Sequence, residues 1–336
     1  MTSGEDARGR RGGTPGFFFV AALASLVGCG APAVTAWPPR LPASATLEPD
    51  EPVVLPAAPP PSPSEEPPTE IAAGPDSEPG DGDVVEVTYG EYDGIRYLEV
   101  IYGEADSTTP LPTIWVFHGR GDQARVPGGP FWNLAHPVRI FVPEGPVPID
   151  QGFGWFLNRV ADDRPDDLAA ALLQRSDQLA AMIEAFTNER PTLGRPILTG
   201  FSQGGHMTWA LALRHPELVD FAFPNAGWIP PSLVPELSDA SRFPTIRALH
   251  TADDPRVPSG PTLELVSRLR DAGLDAEILV EPSGGHAMSA TMDAQLHAWL
   301  DERLDALSEP LEPEAPAADA QASDAGLDDG AASRTP

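Results

Sequence analysis

Short hydrophobic runs alternate with turn-forming residues along residues 84–306. The first two runs, Val84–Tyr89 and Ile95–Tyr102, are separated by Asp93-Gly94, and this arrangement predicts an antiparallel hairpin. Runs this short and apolar are also typical of buried strands in a parallel sheet. The further strand candidates are Pro112–Phe117, Val138–Val142, Pro196–Thr199, Asp220–Phe223, Thr245–Leu249 and Ala276–Val280.

Helical periodicity of the apolar positions occurs between several of these runs. The predicted helices are Asp166–Thr187, Gly204–Arg214, Thr262–Ala272 and Ser289–Leu304. Alternation of strand, loop and helix predicts a layered α/β fold. We therefore expect one domain over residues 84–306, with a mostly parallel central sheet of about eight strands flanked by helices.

Composition separates this domain from two flanking segments. Of the 41 prolines in the 336-residue chain, 15 lie between residues 30 and 83, among Ala, Glu, Asp and Ser. Such a segment has too little apolar surface to form a core, so we expect residues 29–83 to be a disordered acidic tether. Residues 307–336 are similarly rich in Ala, Asp, Glu and Pro, which predicts an acidic disordered tail.

The N-terminus has the pattern of an export signal. Arg8, Arg10 and Arg11 precede the apolar run Phe17–Val27, which is short for a membrane-spanning helix. The run ends in Leu-Val-Gly-Cys, which resembles the lipobox of bacterial lipoproteins and makes Cys29 the expected lipidation site. This predicts a signal peptide over residues 1–28 and an exported, membrane-anchored protein. The alternative is an uncleaved apolar anchor around an incidental cysteine.

The charge of the chain bears on its partners. The formal net charge is −29 at pH 7, with 21 Lys and Arg against 50 Asp and Glu. Nucleic-acid backbones are bound by clustered Lys and Arg. We therefore expect no nucleic-acid partner.

One glycine-flanked serine carries the strongest chemical signal. The segment Gly200–Gly205 reads GFSQGG and stands between a predicted strand and a predicted helix. This is the Gly-x-Ser-x-Gly pattern of a nucleophile elbow, with Ser202 as the nucleophile. Because a serine hydroxyl is weakly nucleophilic at neutral pH, a histidine base and an acid must accompany it.

Two downstream loops supply candidates for the base and the acid. His286 follows the last predicted strand and precedes the last predicted helix. This is the position of the base in α/β folds that carry a nucleophile elbow. His206, immediately after the elbow, is more consistent with a packing role. The strand ending at Leu249 leads into two adjacent carboxylates, of which we choose Asp254 as the acid and keep Asp253 as the alternative.

Several motifs together resemble the phospholipase/carboxylesterase family, which includes acyl-protein thioesterases. They are GFSQGG at residues 200–205, HGRGD at 118–122, Trp155-Phe156, Gly227-Trp228-Ile229-Pro230 and Asp254-Pro255-Arg256-Val257-Pro258. The resemblance implies an α/β-hydrolase fold, a small ester or acyl substrate, no cofactor and no metal. It also implies a Ser202, Asp254 and His286 triad.

The same resemblance places an oxyanion hole at the backbone N–H groups of Arg120 and Gln203. His118 and Asp122 are expected to brace their loop. The substrate-pocket candidates are Trp155, Phe156 and Trp228.

Departures from the family pattern leave the substrate open. Arg120 replaces an aliphatic residue, and Leu157-Asn158 replaces a polar step. The leading hypothesis is a serine esterase that forms an acyl-enzyme on Ser202. The alternatives are an exported feruloyl or polyhydroxyalkanoate-type esterase and a catalytically idle envelope lipoprotein that binds or scaffolds.

Overall fold

The computed structural model describes residues 84–162 and 164–308. The predicted signal peptide, Cys29, the predicted tether and residues 309–336 lie outside the described residues. The strands are β1 Val84–Tyr92, β2 Ile95–Tyr102, β3 Thr113–Phe117, β4 Val138–Pro143, β5 Val147–Ile149, β6 Gly152–Gly154, β7 Ile197–Phe201, β8 Phe221–Asn225, β9 Thr245–Thr251 and β10 Ala276–Glu281. The α-helices are α1 Pro165–Glu189, α2 Gln203–Arg214, α3 Ser259–Asp271 and α4 Ala290–Ser308.

Eight of the strands form one sheet in the order β1-β2-β4-β3-β7-β8-β9-β10. The hairpin of β1 and β2 joins β4 in antiparallel fashion, and all pairs from β4 to β10 are parallel. Parallel strands need crossover connections, and α1, α2 and α3 lie in the connections that lead to β7, β8 and β10. The carboxyl ends of β3, β7, β8, β9 and β10 therefore meet at one edge of the sheet.

The predicted α/β fold with a mostly parallel eight-stranded sheet is confirmed. Strand β7 continues two residues past the predicted end at Thr199, because Gly200 and Phe201 still pair with β8. Helix α4 runs to Ser308, two residues into the predicted tail. The small antiparallel pair of β5 and β6 was not predicted, because strands of three residues containing Pro and Gly are too short for an alternating pattern.

Aromatic side chains fill the layer between the sheet and α1. Trp115 of β3 stacks on Phe141 of β4 with ring centroids 4.6 Å apart. Phe186 of α1 contacts Phe141 edge-on at 5.2 Å and Tyr97 of β2 at 4.9 Å. Burial of such rings is a principal source of core stability. The layer fixes α1 against the central strands and so fixes the segment that precedes α1.

A buried ionic cluster joins β2, β4 and the end of α1. Arg139 is fully buried, and its Nε lies 3.0 Å from Glu99 Oε1. The second carboxylate oxygen of Glu99 accepts a hydrogen bond from Arg190 Nε at 3.1 Å. Arg139 also donates to the carbonyls of Pro191 and Ser107, each at 2.8 Å. Both charges thus have partners, as burial requires.

In the part of the chain that the structure describes, none of the helices is both long enough and apolar enough to cross a membrane.

We predict that Arg139→Met lowers the free energy of unfolding by about 3 to 5 kcal/mol, because it leaves the buried Glu99 carboxylate short of one cation and two carbonyls without a donor. Urea denaturation followed by circular dichroism measures the change. The matched control is Arg164→Met, which removes an exposed ion pair with Asp167. It should cost less than about 1 kcal/mol. Equal losses in the two variants would contradict the assigned role of the cluster.

Candidate active site

Ser202 occupies a strained turn between β7 and α2. Its φ of 56° and ψ of −116° lie outside the conformations that residues with side chains normally adopt. The backbone N–H of Ser202 donates to the carbonyl of Asn225 at the end of β8, at 3.0 Å. The carbonyl of Ser202 accepts from the N–H of His206 at 2.9 Å. These bonds fix the turn from both sides, as a nucleophile elbow requires.

The glycines around Ser202 allow the backbone to come this close. A Cβ atom on Gly204 would lie 1.9 Å from the carbonyl oxygen of Phe117. A Cβ atom on Gly205 would lie 2.4 Å from the carbonyl oxygen of Asn225. Helix α2 therefore starts in direct contact with the ends of β3 and β8, and side chains at these two positions would push it away.

The side chains of Ser202, His286 and Asp254 form one hydrogen-bonded chain. His286 Nε2 lies 2.8 Å from Ser202 Oγ, and His286 Nδ1 lies 2.7 Å from Asp254 Oδ2. An ionised carboxylate can only accept, so Nδ1 carries the imidazole proton and Nε2 accepts from the serine hydroxyl. The structure thus brings together the three residues that the sequence motifs proposed, across a sequence separation of 84 residues.

Asp254 is held in its ionised form. Burial by itself would raise the pKa of this carboxyl, but hydrogen bonds from His250, His286 and the backbone hold the pKa well below its usual range. The backbone N–H groups of Arg256 and Val257 both donate to Oδ1, at 2.8 and 2.9 Å. Oδ2 remains directed at His286. Asp254 therefore keeps its negative charge beside the imidazole.

Asp253 has a different place. Its Oδ1 accepts from the backbone N–H of Gly285 at 2.8 Å, whereas the carboxylate that bonds to the imidazole of His286 is that of Asp254. Thr251 at the end of β9 donates its hydroxyl to the carbonyl of Gly285. Gly285 has φ of +63° and Gly284 φ of +151°, values that favour glycine. Thr251 and Asp253 thus tie the histidine loop to the acid loop.

The loop after β3 runs alongside the nucleophile. A Cβ atom on Gly119 would lie 3.7 Å from the Cβ of Ser202, so the backbone immediately before Arg120 lies beside the nucleophile. Within the described residues, the backbone N–H groups of Arg120 and Gln203 donate to no protein acceptor. The N–H of Gln203 also belongs to the first turn of α2, where helix amides are free to bind an anion.

The side chain of Gln203 fixes the segment of residues 155–158. Its Oε1 accepts from the backbone N–H of Trp155 at 3.1 Å, and its Nε2 donates to the carbonyl of Phe156 at 2.9 Å. Trp155 is fully buried, and its indole N–H donates to the carbonyl of His118 at 2.9 Å. Trp155 and Phe156, predicted as pocket candidates, thus have their side chains in the core. Their backbone groups bind the Gln203 side chain and so connect this segment to the start of α2.

The two departures from the family pattern lie next to each other in space. Arg120 is exposed, and its Nη1 donates to the carbonyl of Leu157 at 3.0 Å. Leu157 is 67% exposed. The guanidinium therefore bridges the loop after β3 and the 155–158 segment at the rim of the site.

His118 and Asp122 brace this loop, in the manner that the sequence suggested. The Nδ1–H of His118 donates to the carbonyl of Gly119 at 2.7 Å, and the N–H of Gly145 donates to Nε2 at 2.9 Å. Both ring nitrogens are occupied, and burial lowers the pKa of His118. The carbonyl of Asp122 accepts from the backbone N–H of Phe153 in β6 at 2.7 Å, and the N–H of the neighbouring Gly121 donates to the carbonyl of Phe153 at 2.8 Å.

His206 supports Trp228 from inside the protein. Its Nδ1 accepts from the backbone N–H of Trp228 at 2.7 Å, and its ring stacks on Phe156 with centroids 6.4 Å apart. Burial lowers the pKa of His206 to about 3, and the nearby His286 adds to this effect. His206 is therefore neutral at physiological pH. Trp228 itself is half-buried, so of the three pocket candidates it has the most accessible side chain.

Among residues 84–162 and 164–308, we find no group of three or more His, Cys, Asp or Glu side chains that could hold a metal ion.

Comparison with known proteins identifies the same family as the motifs did. The model of the phospholipase/carboxylesterase family matches residues 99–302, which is more than half of the chain. The matched range begins in β2, ends in α4 and includes all three residues of the hydrogen-bonded chain.

Curated relatives include plant carboxylesterases. A probable carboxylesterase SOBER1-like of Arabidopsis thaliana is 29% identical over 113 residues, which are 33% of this chain and 43% of that protein. Carboxylesterase SOBER1 of the same plant is 24% identical over 137 residues, 40% of this chain and 60% of that protein. The chain therefore spans about half the length of these two relatives.

Solved structures share the fold. A carboxylesterase from Mesorhizobium loti superposes with a TM-score of 0.53 at 21% identity, covering 64% of this chain and 98% of that one. The esterase PE8 superposes with a TM-score of 0.51 at 21% identity, covering 65% of this chain and 99% of that one.

Some residues around the site were not identified from the sequence. His250 lies in the apolar strand β9, and its sequence context does not distinguish it from a histidine packed in the core. The roles of Asp253 and of the Gln203 side chain depend on the direction of the local backbone, which no sequence motif specifies. The sequence feature that could have indicated a role for His250 is its position four residues before Asp254.

We predict that the buried His206 makes stability depend on pH. Its folded pKa of about 3 lies below the ordinary value of 6.5, so protons bind the unfolded state preferentially as the pH falls. This contribution is fully present above pH 6.5 and is lost progressively toward pH 3. Between pH 7 and pH 5 it should remove about 2 kcal/mol of unfolding free energy.

Urea denaturation at both pH values, compared between the wild type and His206→Asn, isolates the effect. The Oδ1 atom of asparagine takes the place of Nδ1 as an acceptor for the Trp228 N–H and does not titrate, so the variant should lose less stability than the wild type on acidification. Parallel losses in the two proteins would show that His206 is not the group responsible.

Proposed function

Because the chain belongs to the phospholipase/carboxylesterase family, we propose that it is a serine hydrolase that cleaves carboxylic esters through an acyl-enzyme on Ser202. The observation that carries the proposal is the continuous hydrogen-bonded chain from Ser202 Oγ through His286 to Asp254. The curated relatives described above are named carboxylesterases, which agrees with this reaction.

In the first half-reaction, Ser202 Oγ attacks the carbonyl carbon of the ester while His286 Nε2 takes the hydroxyl proton. The resulting tetrahedral oxyanion accepts hydrogen bonds from the backbone N–H groups of Arg120 and Gln203. Each such donor contributes about 3 kcal/mol to stabilising the transition state. The oxyanion then collapses, and the proton on Nε2 passes to the leaving alcohol.

In the second half-reaction, water replaces the alcohol. His286 Nε2 takes a proton from the water as its oxygen attacks the acyl carbon, and the collapse of the second tetrahedral intermediate returns that proton to Ser202 Oγ. Asp254 remains a carboxylate throughout and stabilises the imidazolium of His286. No step needs a metal or an organic cofactor. A thioester would follow the same course with a thiol as the leaving group.

The proposed substrate is a small ester or acyl compound. Arg120 and Leu157 stand at the rim of the site, where they contact each other, and they differ from the residues that the family pattern leads us to expect. The acyl preference is therefore proposed to depend on this rim. No specific contact favours a feruloyl or polyhydroxyalkanoate-type substrate, and the complete hydrogen-bonded chain argues against a catalytically idle scaffold.

We also propose that the protein is an exported lipoprotein, acylated at Cys29 and held at the extracytoplasmic face of a membrane. The support is in the sequence: the three N-terminal arginines, the apolar run and the Leu-Val-Gly-Cys segment. Residues 29–83 would then separate the catalytic domain from the membrane surface.

We predict that Ser202→Ala, His286→Ala and Asp254→Asn each lower kcat/KM for p-nitrophenyl esters, by about 10⁴-fold for the first two. Because the three side chains act as one unit, the double variant Ser202→Ala/His286→Ala should be no slower than either single one. Labelling by a fluorophosphonate probe should occur in the wild type and be lost with Ser202→Ala. A folded wild-type protein that neither labels nor hydrolyses any ester would refute the proposed function.

The matched control for the acid is Asp253→Asn. Its carboxylate accepts from Gly285, and the partner of His286 Nδ1 is Asp254, so the variant should keep activity within about tenfold of the wild type, while Asp254→Asn loses at least about 100-fold. The reverse order would assign the acid to Asp253.

We predict that Cys29→Ser moves the protein from the membrane fraction to the soluble fraction when both forms are expressed from the full-length gene in a bacterium. Metabolic labelling with an alkyne fatty acid should mark the wild type alone. Unchanged membrane retention of the variant would instead indicate an uncleaved apolar anchor.

A further inference from the structure

A second histidine lies beside the acid, and the mechanism above does not use it. His250 belongs to β9 and is fully buried. Its Nε2 lies 2.7 Å from the carbonyl oxygen of Val257 and 3.5 Å from Asp254 Oδ2, the same oxygen that receives the Nδ1–H of His286.

The hydrogen-bond partners determine the form of His250. A carbonyl oxygen can only accept, so Nε2 carries the proton and donates it to Val257. Nδ1 is buried and has no hydrogen-bond partner among the described residues, which leaves it without an acceptor for a second proton. His250 therefore presents one N–H, directed at the acid loop, and does not compete for the proton that moves between Ser202 and His286.

Val257 is the element that connects His250 to the acid. Its carbonyl accepts from His250, and its N–H donates to Asp254 Oδ1 at 2.9 Å. The loop also contains Pro255 and Pro258, whose fixed φ angles limit the ways in which it can adjust. A shift of Val257 would therefore be transmitted to the carboxylate of Asp254.

We propose that His250 is a positioning residue for the reaction. By holding the carbonyl of Val257 it keeps the acid loop closed, and its N–H adds a second dipole beside Asp254 Oδ2, so that the carboxylate stays against His286 Nδ1. The inference rests on the proposed hydrolase function, because it assigns to His250 a role in the chemistry of that site.

The charged and titratable groups near this arrangement come from three elements. His286 faces Asp254 from the loop after β10, His206 lies near it on α2, and His250 approaches from β9. In the acid loop itself, Asp253 is bound to Gly285 and Arg256 has an exposed side chain. The pKa of Asp254 is lowered in part by its hydrogen bond with His250, which agrees with the proposal.

Three substitutions at one position test the proposal. His250→Gln places an amide N–H where Nε2 was, His250→Asn has the same chemistry but is one methylene too short to reach Val257, and His250→Phe removes the donor. The Asn variant should lower kcat by about 10- to 100-fold with KM nearly unchanged, and the Gln variant should stay within about threefold of the wild type. The Phe variant should resemble Asn. If Phe does not fold, the Gln and Asn pair decides the question.

The pH profile separates positioning from a general loss of stability. With a displaced carboxylate, the imidazolium of His286 is less stabilised, so the acid limb of kcat/KM should move to lower pH in His250→Asn and remain in place in His250→Gln. Gln and Asn variants with equal kcat and equal acid limbs would overturn the proposal.

Proton NMR gives a readout that does not need turnover. The Nδ1–H of His286, bonded to Asp254, should give a far-downfield resonance that persists in the wild type and His250→Gln and weakens or moves upfield in His250→Asn. An inactive wild type with this pattern would refute the hydrolase function and support the positioning role. A resonance that is unchanged in His250→Asn would refute the positioning role, whatever the activity.

Discussion

The contact between the start of α2 and the ends of β3 and β8 is the constraint on which the site depends. Ser202 has a positive φ, and Gly204 and Gly205 let the helix backbone after it lie against the carbonyls of Phe117 and Asn225. The first turn of α2 therefore begins directly after Ser202, and Gly119 lies beside the serine. Backbone packing thus places Ser202 and the two proposed oxyanion donors, which are the N–H groups of Arg120 and Gln203. The side chains of these residues contribute little to that placement.

The base and the acid are positioned by a different principle, in which two loops hold each other. Strands β9 and β10 are parallel neighbours, so the loops at their carboxyl ends start side by side. Thr251 and Asp253 bind the two backbone groups of Gly285, and the N–H groups of the acid loop converge on Asp254. The imidazole of His286 is consequently held against the acid by several contacts between the two loops, and its contact with the serine is the hydrogen bond to Ser202 Oγ.

The sequence was sufficient for the features that depend on strand order and insufficient for those that depend on backbone direction. Short apolar runs located the eight strands of the main sheet, and the placement of Ser202, Asp254 and His286 after three of them brought these residues to one edge. The sequence could not decide which of the adjacent carboxylates, Asp253 or Asp254, binds His286. That choice depends on the local backbone conformation, which directs Asp254 to the imidazole and Asp253 to the N–H of Gly285. His250 was indistinguishable from a core histidine, and Trp155, chosen as a pocket residue from its motif, is buried because its indole N–H finds a partner inside the protein.

The side chain of Gln203 limits which substitutions this position can accept. Its backbone N–H begins α2, and its side chain satisfies the N–H of Trp155 and the carbonyl of Phe156. A substitution at this position would keep the backbone amide but leave the N–H of Trp155 and the carbonyl of Phe156, 48 and 47 residues upstream, without their hydrogen-bond partner. A replacement of this glutamine that keeps the site intact therefore needs new hydrogen-bond partners for residues 155–158, so substitutions in the elbow and in that wall of the site are energetically coupled.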